Sequence, residues 1–178
     1  MQGEQLWAPW RATYLRDLKY KADASGKEVA SIDNFLATYW LTPEKDQEHL
    51  VIHRNDFGMI LLNRFPYTCG HLLVAIGEPR PTLLDYDADQ RRAFWDLIEL
   101  ATALVHATLN PQGINFGINE GAAAGAGLPE HLHAHLVPRW NGDTNFITVV
   151  GDVRVMPDSL QKIATDYRQQ LASLLLDT

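Results

Sequence analysis

Residues 131–140 read HLHAHLVPRW. His131, His133 and His135 alternate with Leu132, Ala134 and Leu136. Successive side chains on a β-strand point to opposite faces. The alternation therefore predicts a strand over 131–137, with three imidazoles on one face and three aliphatic residues turned to a core. Three of the chain's seven histidines fall within five positions, so that face calls for a chemical explanation.

The flanking sequence supplies the rest of a domain. GAAAGAGLPE (121–130) reads as a loop, and Ile114–Ile118 as a strand ahead of it. Phe94, Leu97, Ile98, Ala101, Leu104 and Val105 recur at helical spacing, which predicts a long helix over 88–108. Asp87 and Gln90 can form a capping box at its start, and Asn110-Pro111 can end it. Further upstream, Met59–Leu62 and His71–Ile76 are aliphatic runs joined by NRFPYTCG. They predict two antiparallel strands. Asp33–Trp40 fits either a short helix or a strand. After Pro157, Leu160, Ile163, Tyr167, Leu171 and Leu174 mark one face of a second helix. Strands, helix, strands, helix indicate an α+β fold, an antiparallel sheet carrying a long helix and a C-terminal helix. The expected organisation is an aromatic arm with lead-in over 1–50, holding Trp7, Trp10 and Tyr14. A core follows over 51–150, and 151–178 is a helical extension of the same domain.

With 178 residues the chain can bury a substantial core. Fifteen basic against twenty-two acidic residues give a net charge of −7, and no Lys/Arg tract of five appears. This balance argues against polymeric nucleic acid and anionic membranes as partners. A local cradle of backbone N–H groups can still hold a small anion. Cys69 is the single cysteine, which excludes an internal disulfide and a cysteine-based zinc site and fits a reducing cytoplasm. No apolar run approaches the length of a membrane span. The opening MQGEQLWAPWRATYL lacks the pattern of a signal peptide.

The histidine pattern permits two chemistries. Side chains at i and i+2 lie about 6.5–7 Å apart, so two imidazoles can converge on one metal ion or flank one phosphate. His-x-His on a strand suits zinc, with His49, His53 or His71 as further ligands brought in by the fold. Alternatively, one imidazole attacks phosphorus while its neighbours orient it and donate to the phosphoryl oxygens. Gly121, Gly125 and Gly127, just ahead of His131, favour phosphate, because small residues let backbone N–H groups approach a ligand closely. Arg139 reads either as a ligand to a distal phosphate or as a solvated surface cation. Trp140 and Phe146 read as base-stacking or packing residues.

Three ordered blocks give a resemblance. His131-Leu132-His133-Ala134-His135-Leu136-Val137, Asn63-Arg64-Phe65-Pro66-Tyr67-Thr68-Cys69-Gly70-His71, and Asn119 with its glycine loop together resemble the histidine-triad (HIT) superfamily. The N-terminal LWAPWRATYL, the segment 138–146 and the C-terminal helix look like its bacterial diadenosine tetraphosphate phosphorylase-like branch. The resemblance implies a HIT-like fold and an enzyme that cleaves dinucleoside polyphosphates through a nucleotidyl-histidine intermediate, by phosphorolysis or hydrolysis. Other nucleotide conjugates, such as nucleoside phosphoramidates, are the alternative substrates. It implies His133 as nucleophile, supported by His131, His135 and His71. Asn63 falls near the ribose, and Asn119, Gly125 and Gly127 at the polyphosphate. No metal site and no obligatory cofactor are implied, beyond Mg2+ carried by the substrate. The partner is a nucleotide, and the protein a cytoplasmic homodimer or larger homo-oligomer. A backbone carbonyl is expected opposite the second ring nitrogen of His133. One departure stands out: many relatives carry Gln followed by Ser or Thr where Gly127 and Leu128 stand, so a hydroxyl is missing here.

Overall fold

The computed structural model describes residues 34–144, 146, 150 and 158–176. The aromatic arm with Trp7, Trp10 and Tyr14 lies outside them. Helix α1 spans Phe35–Leu41, and strands β1 and β2 span Val51–Arg54 and Gly58–Leu62. Strand β3 (Leu72–Ile76) leads to the long helix α2 (Ala88–Leu109). Strands β4 (Gly113–Ile118) and β5 (His133–Arg139) follow, and α3 covers Leu160–Leu176. The sheet order is β1-β2-β3-β5-β4, with every neighbouring pair antiparallel.

Local sequence explains most of these elements. Asp87 and Gln90 close a reciprocal capping box, and Asn110 turns left-handed at φ 44° to stop α2. Asn34 caps α1, its side-chain oxygen accepting the Ala37 N–H at 2.9 Å. Strand β1 was not expected from the sequence. It is four residues long, has a register shift between Val51 and His53, and shows no alternation of burial.

Directly paired residues share a face of the sheet. Ile60, Val74 and Ala134 form one row across β2, β3 and β5. This row belongs to the main core, closed by Phe94, Leu97, Ala101 and Leu104 of α2 and by Ile163 and Tyr167 of α3. Met59, Ala75 and His133 form a row on the opposite face, and Leu61, Leu73, His135 and Gly117 form the next. There a smaller cluster gathers Leu36 of α1, Val51, Met59, Leu61, Leu73, Ala75 and Leu128. The histidines thus lie where the second face passes from apolar to polar.

The expected strand over 131–137 begins two residues later, at His133. His131 N–H reaches the Leu128 carbonyl and Leu132 N–H reaches the Arg80 carbonyl, so both point away from β3. Ladder pairing starts only with Ala75 opposite His133. Pro138 is accommodated because β3 pairing ends at Leu136, before the missing N–H is needed.

Candidate active site

Three histidine rings, those of His71, His133 and His135, come together from one loop and one strand. His71 sits at the start of β3 and is fully buried. Its Nδ1 receives the Tyr67 backbone N–H at 3.1 Å and lies 3.2 Å from Asn63 Nδ2. A backbone N–H can only donate, so Nδ1 carries the lone pair and Nε2 carries the proton. That Nε2 lies 3.0 Å from His135 Nδ1, which must then accept. The remaining proton of neutral His135 is therefore on its Nε2. One backbone amide thus fixes the tautomers of two rings in series.

The loop that presents His71 is pinned from three sides. Thr68 Oγ1 donates to the Pro138 carbonyl at 2.7 Å, and the buried Tyr167 hydroxyl of α3 donates to the Gly70 carbonyl at 2.8 Å. Asn63 N–H donates to the His71 carbonyl at 2.9 Å. Gly70 has φ +77°, and a Cβ there would stand 2.2 Å from Leu109 Cδ1 and 2.7 Å from the Tyr167 hydroxyl. Only glycine fits this corner.

The carbonyl expected opposite the second nitrogen of His133 belongs to His131: it accepts from His133 Nδ1 at 2.8 Å. This fixes the proton on Nδ1 and leaves the lone pair on Nε2. Among the described residues Nε2 has no hydrogen-bond partner. The His133 and His135 rings are 4.9 Å apart, and the His71 and His135 rings 5.2 Å. His131 turns elsewhere: its Nε2 lies 2.6 Å from the Ile76 carbonyl and its Nδ1 3.1 Å from Asn34 Oδ1. Burial pushes the His133 ring toward the neutral form, against the pull of the His131 carbonyl. Burial, and then His133, push His135 down to about 4. Neutral rings at pH 7 are the electrostatic consequence.

The remaining sequence-derived candidates take the following places. Asn119 comes one residue after Ile118, which pairs with Ala134, so the register carries it to the level of His133. Gly125 ends a short 3-10 turn at Ala122–Ala124 with φ +93°. Gly127 precedes Leu128, which is buried in the small cluster beside Leu73 and Ala75 and seats the loop against the histidine face. Leu128 is thus a packing residue. Arg139 forms a two-pronged pair with Asp143, at 2.6 and 2.8 Å, and reaches Asn115 Oδ1 at 2.8 Å. Two residues of the site were not singled out from the sequence, Tyr67 and Asn34. Tyr67 stacks on His135 at 5.8 Å with an interplanar angle of 12°. Its place inside NRFPYTCGH was the available signal, whereas Asn34 offered only that of a helix cap.

The donor set does not fit a zinc site. Each ring nitrogen of His131 faces an oxygen, His71 and His135 bond to each other, and His133 Nδ1 is taken. Among the described residues no group of three or more His, Cys, Asp or Glu side chains could hold a metal ion. His49 is stacked on Tyr39 at 3.9 Å, and His53 lies on β1 at the far side of the sheet from β5.

Residues 44–142 match the HIT domain family. The chain belongs to the HIT family. It is 34% identical to a Mycobacterium tuberculosis protein named AP-4-A phosphorylase, over 95% of this chain and 87% of that one. A bis(5'-adenosyl)-triphosphatase of Dictyostelium discoideum is 26% identical, over 58% of this HIT protein and 69% of that one. The crystal structure of a zinc-bound histidine triad family protein from Mycobacterium smegmatis superposes with a TM-score of 0.64 at 25% identity, covering 79% of this chain and 96% of that one.

Proposed function

We propose that this HIT protein cleaves dinucleoside polyphosphates by nucleotidyl transfer through His133. The observation that carries the reading is the His133 ring itself, with Nδ1–H locked on the His131 carbonyl and Nε2 left with its lone pair. A neutral imidazole is a competent nucleophile near pH 7. In the proposed reaction Nε2 attacks the α-phosphorus, a P–N bond forms, and the P–O bond to the rest of the polyphosphate breaks. The Nε2–H of His135 lies beside it as the donor to the phosphoryl or leaving oxygen, oriented by His71. Asn63 addresses the ribose, and Asn119 with the backbone at Gly125 and Gly127 holds the polyphosphate. His131 holds the nucleophile's proton through its carbonyl.

The second step transfers the nucleotidyl group to phosphate or water. The similarity to AP-4-A phosphorylase over nearly the whole chain favours phosphate. Diadenosine tetraphosphate would then give ATP and ADP. Any Mg2+ enters bound to the polyphosphate. We read residues 151–178 as a helical extension of the catalytic domain and residues 1–50 as its lead-in. Among the described residues no helix is long and apolar enough to cross a membrane. The single cysteine supports a cytoplasmic setting. The open edge of β4, where Phe116 is 61% exposed, supports a homodimer. The test is product identification after incubation with diadenosine tetraphosphate, with and without phosphate. ATP plus ADP formed only with phosphate is expected. ATP plus AMP, or two ADP, without phosphate would establish hydrolysis instead, and no turnover would overturn the reading.

A further inference from the structure

The peptide joining His131 to Leu132 precedes β5, so no ladder hydrogen bond holds it. Yet its carbonyl fixes the proton of His133. Contacts from outside the strand take over. The N–H of the same peptide, on Leu132, donates to the Arg80 carbonyl at 2.8 Å. The His131 ring is fully buried and is gripped at both nitrogens, by the Ile76 carbonyl at 2.6 Å and by Asn34 Oδ1 at 3.1 Å.

Asn34 is 97 residues away in sequence. Its amide cannot flip freely, because the Ala37 N–H needs the oxygen as its cap at 2.9 Å. One oxygen therefore ends a helix and orients a buried imidazole. Burial holds this ring below its ordinary value, against the pull of the Ile76 carbonyl and with the help of the neighbouring His133, so a neutral ring has one proton to place between its two oxygen neighbours. Among the groups around the ring, β5 presents His133, β3 the Ile76 carbonyl and the α1 cap the uncharged Asn34; the Arg80 side chain is turned to Glu78.

We propose that Asn34 is a positioning residue for the nucleophile, acting through the His131 ring and carbonyl to hold His133 in the tautomer with a free Nε2. This rests on the reading of His133 as nucleophile. Asn34 lies outside the residues that match the HIT domain, so the device belongs to the surroundings of the domain in this chain.

Three substitutions separate positioning from helix capping. Asn34→Asp keeps the cap and an oxygen facing His131. Asn34→Gly keeps most of the capping stability but removes the oxygen, whereas Asn34→Ala loses both. With diadenosine tetraphosphate, kcat is expected to fall about 10- to 100-fold in both the Gly and Ala variants, with KM nearly unchanged. The thermal midpoint should fall clearly only in the Ala variant, and Asp should keep both kcat and midpoint. Imidazole 15N spectra should show His133 protonated at Nδ1 in the parent and a mixture of tautomers in the Gly variant. A Gly variant with kcat within about twofold of the parent, or an Asp variant as slow as Ala, would overturn the proposal. Turnover that survives His133→Asn would instead overturn the nucleophile reading. The spectra would still test the link from Asn34 to His133.

Discussion

The two faces of the sheet solve the burial problem in opposite ways. The face under α2 and α3 is aliphatic and aromatic, and hydrophobic burial dominates its packing. The other face has a small apolar cluster around Leu36 and Leu128 and then turns to histidine. Buried imidazoles are tolerated there because nearly every ring nitrogen is matched to a named partner: Tyr67 N–H and Asn63 for His71, His71 for His135, and Ile76 and Asn34 for His131. Among the described residues the nitrogens left over are Nε2 of His133 and Nε2 of His135, the two that the proposed chemistry uses. One face stores stability, and the other spends its hydrogen bonds on orientation.

Substitutions on the two faces should therefore separate stability from turnover. His133→Asn lets an amide N–H take the place of Nδ1–H on the His131 carbonyl, so the fold and nucleotide binding should survive. Turnover should fall at least about a thousandfold, read by steady-state kinetics beside equilibrium nucleotide binding. Phe94→Ala, on α2, should do the reverse. It should lower unfolding free energy by about 3–5 kcal/mol in urea melts, with kcat/KM of the folded protein unchanged. Parallel losses of stability and turnover in either variant would erase the distinction between the faces.

The smallest expected effect is that of pH. His135 is held below its ordinary value, down to about 4, so its charged form is disfavoured in the folded state. The unfolded chain then binds a proton first as pH falls. The stability associated with this ring is complete above about pH 6.5 and is lost progressively between there and about pH 4. Urea midpoints measured across that window should fall more steeply in the parent than in His135→Gln. Identical slopes would show that the ring is not held neutral by its surroundings.

How legible each part was follows from the range of the interactions. Helix α2 could be read because its apolar spacing, capping box and Asn110 stop are all local. The alternation at 131–136 correctly assigned Leu132, Ala134 and Leu136 to the core. Where the strand starts could not be read, because the decision lies with the Arg80 carbonyl, some fifty positions upstream. His71 is 64 residues from His135, and only the resemblance joined them in the sequence; the hydrogen bond now gives the join a geometry. Asn34 was invisible as a site residue for the same reason: a cap is a local signal, and contact with a ring 97 positions away is not.

Rapid quenching of the reaction with diadenosine tetraphosphate, followed by peptide mass analysis under alkaline conditions that preserve phosphoramidates, tests the central claim most directly. A nucleoside monophosphate attached to the His133 peptide, and absent from His133→Asn, is the expected result. Undiminished turnover in that variant, with no adduct trapped on the parent protein, would contradict the account.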